Sequence, residues 1–531
     1  MAESISFGEI NLDVAAGRAL PAPKRRPETP FRIAVLGDFS GRSNRAAAGE
    51  GRGGGPKAIL VDRDNLDEVL ARLGTRLTLP IGESGSAMQL RFRELDDFEP
   101  DRIYEHASLF RTLRETRRSL ADPSEFANTA AGLGLIGRDE QRRAAPAKSR
   151  EHDEAVPDPR ILSGSSLLED ALEATAERAR PAGQPGAARG GGREDELSAF
   201  LRKVVAPHAV AGAHPKQAEV LARWDQAIGE QMRAILHHPD FQALEAAWRG
   251  LFLLTRRLET GVDLKIYLID WSQQELAAEF DRHSDPQNCC LAKALADPGG
   301  EWASDPGWGV LAGLYRFEAT VEDALSLARL AVVASQLGAP LIAEAAPGVF
   351  GCESPAATPD PSDWKRAYAP DAVQAWEVLR GLTQSRYLAL AAPRFLLRLP
   401  YGRETVPAEE FPFEEIAPES VSRPRHEEFL WGNPALACAF MLGINFSRHG
   451  WEMRPGQVRQ IDGVPMYLYK QDGEARQLPP AEAWLGERAA AEMLKYGVMP
   501  LLSVKNRDAA VLFDLRSLAK DEAPLAGAWD S

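Results

Sequence analysis

The sequence predicts an α/β protein with mixed sheets, arranged as two modules joined by a disordered linker. Three observations carry this reading. The stretch from Ile235 to Asp270, with the residues just after it, reads as helix, strand, helix, and its apolar load marks a core. An N-terminal stretch, running to about Leu120, has strand and helix patterns of its own. Between the two, Ala121 to about Pro159 is Ala/Arg/Pro-rich without periodicity and Pro181 to Arg193 is Gly/Pro/Ala-rich, compositions that belong to linkers. The expected division is therefore 1–120, a linker at 121–200 with a short amphipathic helix at 165–178, and 201–531.

Taken in order, Ser4 to Val14 alternates as an extended segment, with Ile5 and Phe7 in one phase and Ile10, Leu12 and Val14 in the other. The phase shifts near Gly8, as a bulge or kink would require. Pro21 to Pro30 is a basic, proline-rich spacer, so this isolated strand must pair elsewhere, and another chain is one partner available to it. Phe31 to Gly37 is a strand running into a glycine turn that reads as a flexible loop. Asp62 to Leu73 is an amphipathic helix, Met88 to Leu95 a strand, and Asp96 to Ile103 leads into a long basic helix ending at Leu120.

Ser165 to Arg178 forms the short helix within the linker, with Ser166 and Glu169 as a capping box. Lys216 to Ile235 is amphipathic. Pro239 suits a first helical turn, and Phe241, Leu244, Trp248, Leu251 and Phe252 then fall on one face. Leu264 to Ile269 is a short apolar run fit for a buried strand. Ser272 and Glu275 cap the next helix. Beyond it, strands are expected at Gly309 to Phe317 and Ala339 to Glu344 around a helix at Val321 to Leu337, with a further helix from Trp364 to Leu382.

Composition excludes several function classes. The net charge is −15 and no long Lys/Arg stripe occurs, which disfavours a nucleic-acid backbone as partner. No signal-peptide pattern opens the chain, and no apolar run approaches the ~20 residues that span a bilayer. A cytoplasmic protein without membrane insertion is expected. Cys289, Cys290, Cys352 and Cys438 contain no CxxC pair and read as buried free thiols.

The motifs of catalysis are missing. Gly37 and Gly41, and Gly49 to Gly55, lack the spacing of a dinucleotide or phosphate loop. There is no Gly-x-Ser-x-Gly, no HExxH and no SxxK followed by KTG. His237-His238 reads as cap or core, not as metal ligands. Asp96, Asp97, Glu99 and Asp101 read as helix-start charges, since a calcium loop needs a glycine and a terminal glutamate. Arg394 and Arg398 suit ion pairs with a domain neighbour better than an anion clamp. No enzyme, cofactor or metal site is expected.

The literal residues say more. His-Pro-Asp-Phe-Gln-x-Leu-Glu-x-x-Trp-Arg-Gly-Leu at 238–251, followed by Leu264-Lys-Ile, closely resembles the core of the large subunit of the type VI secretion contractile sheath. Arg394 to Gly402, Phe411 to Glu415, Phe429 to Asn433, Gly450-Trp451, Met499-Pro-Leu-Leu and Lys505-Asn-Arg-Asp continue the resemblance in order. Asp-Arg-Asp-Asn-Leu-Asp-Glu-Val-Leu at 62–70 and Leu-Arg-Phe-x-x-Leu-Asp-Asp-Phe-Glu-Pro-Asp at 90–101 resemble the small subunit of the same sheath. Two subunits that are normally separate thus stand in one chain, at roughly 5–120 and 161–515.

The resemblance implies a structural role: subunits that stack in helical rings around an inner tube and contract to drive it outward. Implied partners are other sheath subunits, the inner-tube protein, baseplate proteins and the AAA+ unfoldase that recycles contracted sheaths. The competing class is a sheath-derived accessory protein, such as a cap, adaptor or assembly regulator, that binds without polymerising. Two candidate sites follow. Ile5, Phe7, Ile10, Leu12 and Val14 would form the inter-subunit strand. Leu167, Leu168, Ala171 and Leu172 would form the unfoldase-binding helix, with Ala171 where the family carries a larger side chain. In the family a tail beyond the Lys-Asn motif interlocks with that N-terminal strand. Here Lys520 to Ser531 shows no strand pattern, and the resemblance then implies a chain that polymerises poorly alone.

Overall fold

The computed structural model describes residues 2–7, 10–15, 25, 27–47, 55–80, 87–122, 125–135, 217–282, 285–296, 307–365, 368–520 and 522–530. The N-terminal stretch forms a hairpin of β1 (Ala2–Phe7) and β2 (Ile10–Ala15), with Phe7 opposite Ile10 and Ile5 opposite Leu12. The expected single extended strand is thus two. Only residues 8 and 9 separate them along the chain. The phase shift near Gly8 now has a cause.

Next come β3 (Phe31–Gly37), buried along its whole length, α1 (Arg42–Ala47), β4 (Ala58–Val61) and α2 (Leu66–Leu73). The helix begins later than its amphipathic pattern suggests, because Asp62 and Asn65 close a turn first. The Asp62 carboxylate accepts from the N–H groups of Asp64 and Asn65 at 2.9 and 3.1 Å. β5 (Arg76–Pro80) and β6 (Ala87–Arg91) form an antiparallel pair. β6 stops before Leu95 because the Asp97 carboxylate draws in the Arg93 and Glu94 N–H groups at 2.6 and 3.2 Å.

The long basic helix is two helices, α3 (Pro100–His106) and α4 (Ser108–Ala121), broken by the extended backbone of Ala107. α5 (Phe126–Gly132) then lies where a linker was expected, and Phe126, Ala130, Leu133 and Leu135 are buried in the core. Those few anchors are too few to show a helical period in an Ala/Arg-rich background. Residues 136–216, which hold most of the expected linker and the 165–178 helix, fall outside the described residues.

The second segment opens with α6 (Gln217–Leu236) and α7 (Pro239–Arg257). His238 is the cap of α7, its Nδ1 accepting from the Asp240 N–H at 3.2 Å. β7 (Leu264–Asp270) leads to α8 (Gln273–Arg282), where Ser272 and Glu275 form the reciprocal cap read from sequence. After α9 (Cys290–Ala296) follow β8 (Trp308–Phe317), α10 (Val321–Leu337) and β9 (Leu341–Ala345). The helix expected from Trp364 starts at α11 (Pro370–Gly381), since Pro361–Asp363 is a separate short turn. β1 rests against α11.

The remainder comprises β10 (Leu388–Ala392), the short pair β11 (Phe395–Leu396) and β12 (Trp431–Gly432), and α12 (Pro434–His449). Then come β13 (Gln460–Asp462), the hairpin β14 (Leu468–Gln471) and β15 (Glu474–Gln477), α13 (Glu487–Lys495), β16 (Val498–Ser503) and β17 (Ala509–Leu512).

One nine-stranded sheet organises both segments, in the order β13-β17-β16-β10-β9-β8-β3-β7-β4. From β16 to β7 every neighbour is parallel, while β4, β17 and β13 add antiparallel edges. Helices cover both faces, as a parallel sheet requires. Along β3, Ile33 and Val35 join the core under α6, α7 and α12, and Ala34 and Leu36 join the core under α8, α10 and α11. Gly250, in the Trp-Arg-Gly string, lets α7 approach α12, since a Cβ there would lie 2.2 Å from Leu436 Cδ1.

Candidate functional site: the seam between the two segments

For a protein whose sequence points to assembly, the informative site is the place where the two segments meet. β3 has no partner from its own segment. It lies between β7 and β8, with Phe31 beside Leu264 and Gly37 beside Asp270, and the ladder continues as the Trp271 N–H donates to the Gly37 carbonyl at 2.8 Å. β4 belongs to the N-terminal segment too, yet among the described residues it pairs only with β7. The two segments therefore interleave within one sheet.

The glycine turn after β3, expected to be flexible, is held by hydrogen bonds across this seam. Asp270, at the end of β7, accepts from the Phe39 and Ser40 N–H groups at 2.9 and 3.1 Å and from the Ser40 hydroxyl at 2.7 Å. The Trp248 indole N–H donates to the Phe39 carbonyl at 2.8 Å, and the two rings meet edge to face. Gly41 holds the left-handed backbone that the turn needs, at φ 76°. Arg42 then forks onto Glu275 at 2.6 and 2.8 Å and lies over the Trp271 ring. Burial would raise the Glu275 carboxyl, but the Arg42 and Ser272 hydrogen bonds hold it below its ordinary value.

Aromatic contacts extend the seam. Phe31 stacks on Phe446, and the Trp451 indole N–H donates to the Thr29 carbonyl at 2.6 Å. Phe241 meets Phe92 and Phe98 edge-on, and Tyr104 stacks on Phe411. Arg117 forks onto Asp225 at 2.5 and 3.0 Å, and the Trp224 indole N–H donates to the Leu113 carbonyl at 3.0 Å. Burying a single large apolar side chain contributes roughly 1.5–3 kcal/mol. With this many rings, apolar contact outweighs the polar joints as the source of adhesion, and the polar joints fix register.

Two ion clusters within the second segment confirm that Arg394 and Arg398 pair with domain neighbours. Arg398 bridges Glu245 and Glu415 at 2.8 and 2.7 Å, while Arg249 reaches Glu245 at 2.6 Å and the Tyr401 hydroxyl at 2.8 Å. Burial opposes ionisation of Glu415, yet Arg398, His237 and the Tyr401 N–H hold its carboxyl at about 2. The second cluster sits beyond the carboxyl ends of β8, β9 and β10. There Arg394 forks onto Glu482, with its shortest contact at 2.7 Å, and the His426 ring meets Glu482 at 2.6 Å. Glu344 has only distant cations, Arg316 at 3.7 Å and Arg394 at 3.9 Å, and burial pushes its carboxyl up to about 7. Asp270 and Glu344 were not legible as site residues in the sequence. Each is a lone acid at the end of an apolar run, and its partners lie far away along the chain.

The sequence-predicted site residues fall in two groups. Ile5, Phe7, Ile10, Leu12 and Val14 lie on the β1–β2 hairpin, apart from the seam. Leu167, Leu168, Ala171 and Leu172 lie outside the described residues. Of the cysteines, Cys289, Cys352 and Cys438 are buried as expected, whereas Cys290 is exposed at the start of α9. Among the described residues no helix is long and apolar enough to cross a membrane.

Residues 218–519 match the VipB family model, described as EvpB/VC_A0108, tail sheath N-terminal domain. The chain belongs to this sheath family. Residues 9–132 match a second model, described as Type VI secretion system, VipA, VC_A0107 or Hcp2. The VipA-type segment thus supplies β3 and β4, and the VipB-type segment supplies the other seven strands of the central sheet. The Pseudomonas aeruginosa type VI secretion system sheath protein TssC1 is 34% identical over 308 residues, which are 57% of this chain and 61% of that protein. The VipA match ends at residue 132, at the end of α5, in agreement with the ordered core reaching past Leu120.

The position of Glu344 yields a pH test in this sheath protein. A carboxyl raised from 4.5 to about 7 binds its proton more tightly in the folded state, so its cost is absent below about pH 4.5 and grows until pH passes 7. Glu344→Gln removes that cost. Relative to the parent chain, the variant is expected to gain about 1–3 kcal/mol between pH 5 and pH 8. Urea unfolding at both pH values measures the difference, and equal differences at both would contradict the assignment.

Proposed function

We propose that this chain is a structural subunit of a type VI secretion contractile sheath, built as a fused small-plus-large pair, and not an enzyme. In this reading it works in the cytoplasm, packs on other sheath subunits around an inner tube above the baseplate, and helps to drive the tube's ejection. The observation that carries the reading is the interleaved sheet. A VipA-type strand flanked on both sides by VipB-type strands makes the pair one building block, and fusion fixes its one-to-one ratio. Repeated use of such a block needs heterologous contacts that do not close on themselves. The β1–β2 hairpin, which carries Ile5, Phe7, Ile10, Leu12 and Val14, is the proposed inter-subunit element, offering strand edges to a neighbour.

Gold labelling of a tagged chain on sheaths isolated from its own cells tests this. Label along the whole sheath is the expected result. Label confined to one end would replace the subunit reading with that of an accessory cap or adaptor.

Leu167, Leu168, Ala171 and Leu172 are the proposed contact for the recycling unfoldase. The observation behind this is the Leu-Leu-Glu-Asp-Ala-Leu string, read against the family's handle helix. Loss of one aliphatic anchor weakens an apolar contact by roughly 1–3 kcal/mol, so Ala171 predicts weaker binding than a regular sheath shows. A peptide of residues 163–178 titrated against the unfoldase's N-terminal domain should tighten on Ala171→Ile and lose binding on Leu168→Asp. No change in either variant leaves the segment without that role.

A further inference from the structure

A pocket of about 190 Å³ opens beyond the carboxyl ends of β8, β9 and β10, the end at which open α/β sheets take their ligands. Glu344 lies in its wall and is 6% exposed. One carboxylate oxygen, Oε2, accepts from the Asn433 side-chain amide at 3.3 Å. The other, Oε1, accepts no hydrogen bond among the described residues, and its nearest cations, Arg316 Nε and Arg394 Nε, stand at 3.7 and 3.9 Å. A buried acceptor left open in this way costs stability unless something completes it.

The strong pairs around this oxygen are made elsewhere. Arg394 forks onto Glu482, and the His426 ring meets the same carboxylate at 2.6 Å. Glu482 is thereby neutralised without Glu344. Arg316 is shared, 3.7 Å from Glu318 and 3.7 Å from Glu344. Glu353, also in the wall, is exposed and pairs with no cation among the described residues. Once Glu482 is settled, Glu344 and Glu353 face only Arg316, so the pocket keeps an excess of negative charge.

A cation fits, and the geometry selects its kind. Among the described residues no group of His, Cys, Asp and Glu side chains could hold a metal ion. A guanidinium pairs with a carboxylate through both oxygens, but Asn433 already takes Oε2. An ammonium is a point charge and needs only the open oxygen. Ala345, Pro347, Pro355, Ala392 and Pro393 supply short apolar groups in the rest of the wall, which suit a methylene stem. We propose that this pocket binds the ammonium end of an alkylamine, with Glu344 Oε1 as its acceptor. A free amine and a lysine side chain of a neighbouring polypeptide share that chemistry.

The test uses the isolated full chain at pH 8, with n-butylammonium chloride as probe. Tetramethylammonium chloride, whose cation has no N–H donor, is the control at equal ionic strength. Calorimetric titration should give a dissociation constant on the order of 1 mM for butylammonium and no saturable binding for the control. Glu344→Gln, which is expected to fold more stably than the parent, should weaken butylammonium binding at least tenfold. Burial holds the Glu344 carboxyl at about 7, so it is mostly ionised at pH 8 and mostly protonated at pH 6, and affinity should fall roughly tenfold between them. His426→Gln should keep that ratio, which assigns it to Glu344 among the charged groups that face the pocket, Arg316, Glu318, Glu353, Arg394 and Glu482 being the others. Sheaths isolated from cells separate the two sources, an arm that rests on the subunit reading. Loss of butylammonium binding there means that a neighbouring chain fills the site, and retained binding means a free amine. No saturable binding to the isolated chain, equal binding of the two cations, or binding indifferent to Glu344→Gln would overturn the assignment and leave the subunit reading untouched.

Discussion

The structure depends on the placement of one strand. β3 is buried along all seven residues and is hydrogen-bonded on both edges by strands from the other segment. Remove those neighbours and both rows of backbone donors and acceptors lose their partners. Each buried group left unsatisfied costs about 1–3 kcal/mol. β4 cannot replace them, because β7 stands between it and β3. Among the described residues, the N-terminal segment therefore has no central sheet of its own. The covalent fusion joins two pieces that already need each other.

What could be read in the sequence, and what could not, follows from range. α10, Val321–Leu337, agrees with the expected bounds to the residue, because Thr320 caps it and Gly338 ends it in the left-handed conformation. β7 and the Ser272/Glu275 cap are equally local signals. The seam was not legible. Glu275 reads as a capping residue, and nothing near it shows that Arg42, 233 positions away, forks onto the same carboxylate. The Gly37-to-Arg42 turn reads as a loose loop because its ligand, Asp270, lies equally far off. The Leu-Arg-Phe and Trp-Arg-Gly strings identified the family. They did not show that Phe92 and Phe241, one from each string, lie in one aromatic cluster. The hairpin residues read as apolar and extended, and their phase shift reads as a bulge or kink where the chain reverses.

The charged groups divide by role. In the Arg398 cluster, two arginines meet Glu245 and Glu415, both essentially fully buried. Desolvation offsets most of what such pairs return, so they are weak evidence for stability. Their geometry instead fixes the 398–415 loop against α7, and breaking one partner would leave an uncompensated buried charge. Glu344 is the contrasting case, a carboxyl whose cations stand too far away to offset burial. The seam joins these regimes, with aromatic contact for adhesion and the Asp270–Ser40 and Arg42–Glu275 bonds for alignment.

The central claim is that the VipA-type and VipB-type segments fold as one interleaved unit. Its most direct measurement is to place a protease site between Gln141 and Pro159, cleave the folded protein, and follow the two fragments by size-exclusion chromatography and urea unfolding. The account predicts that the fragments stay together in native buffer and unfold in a single transition with loss of both halves. Fragments that separate without denaturant, or that unfold in two independent transitions, would contradict it.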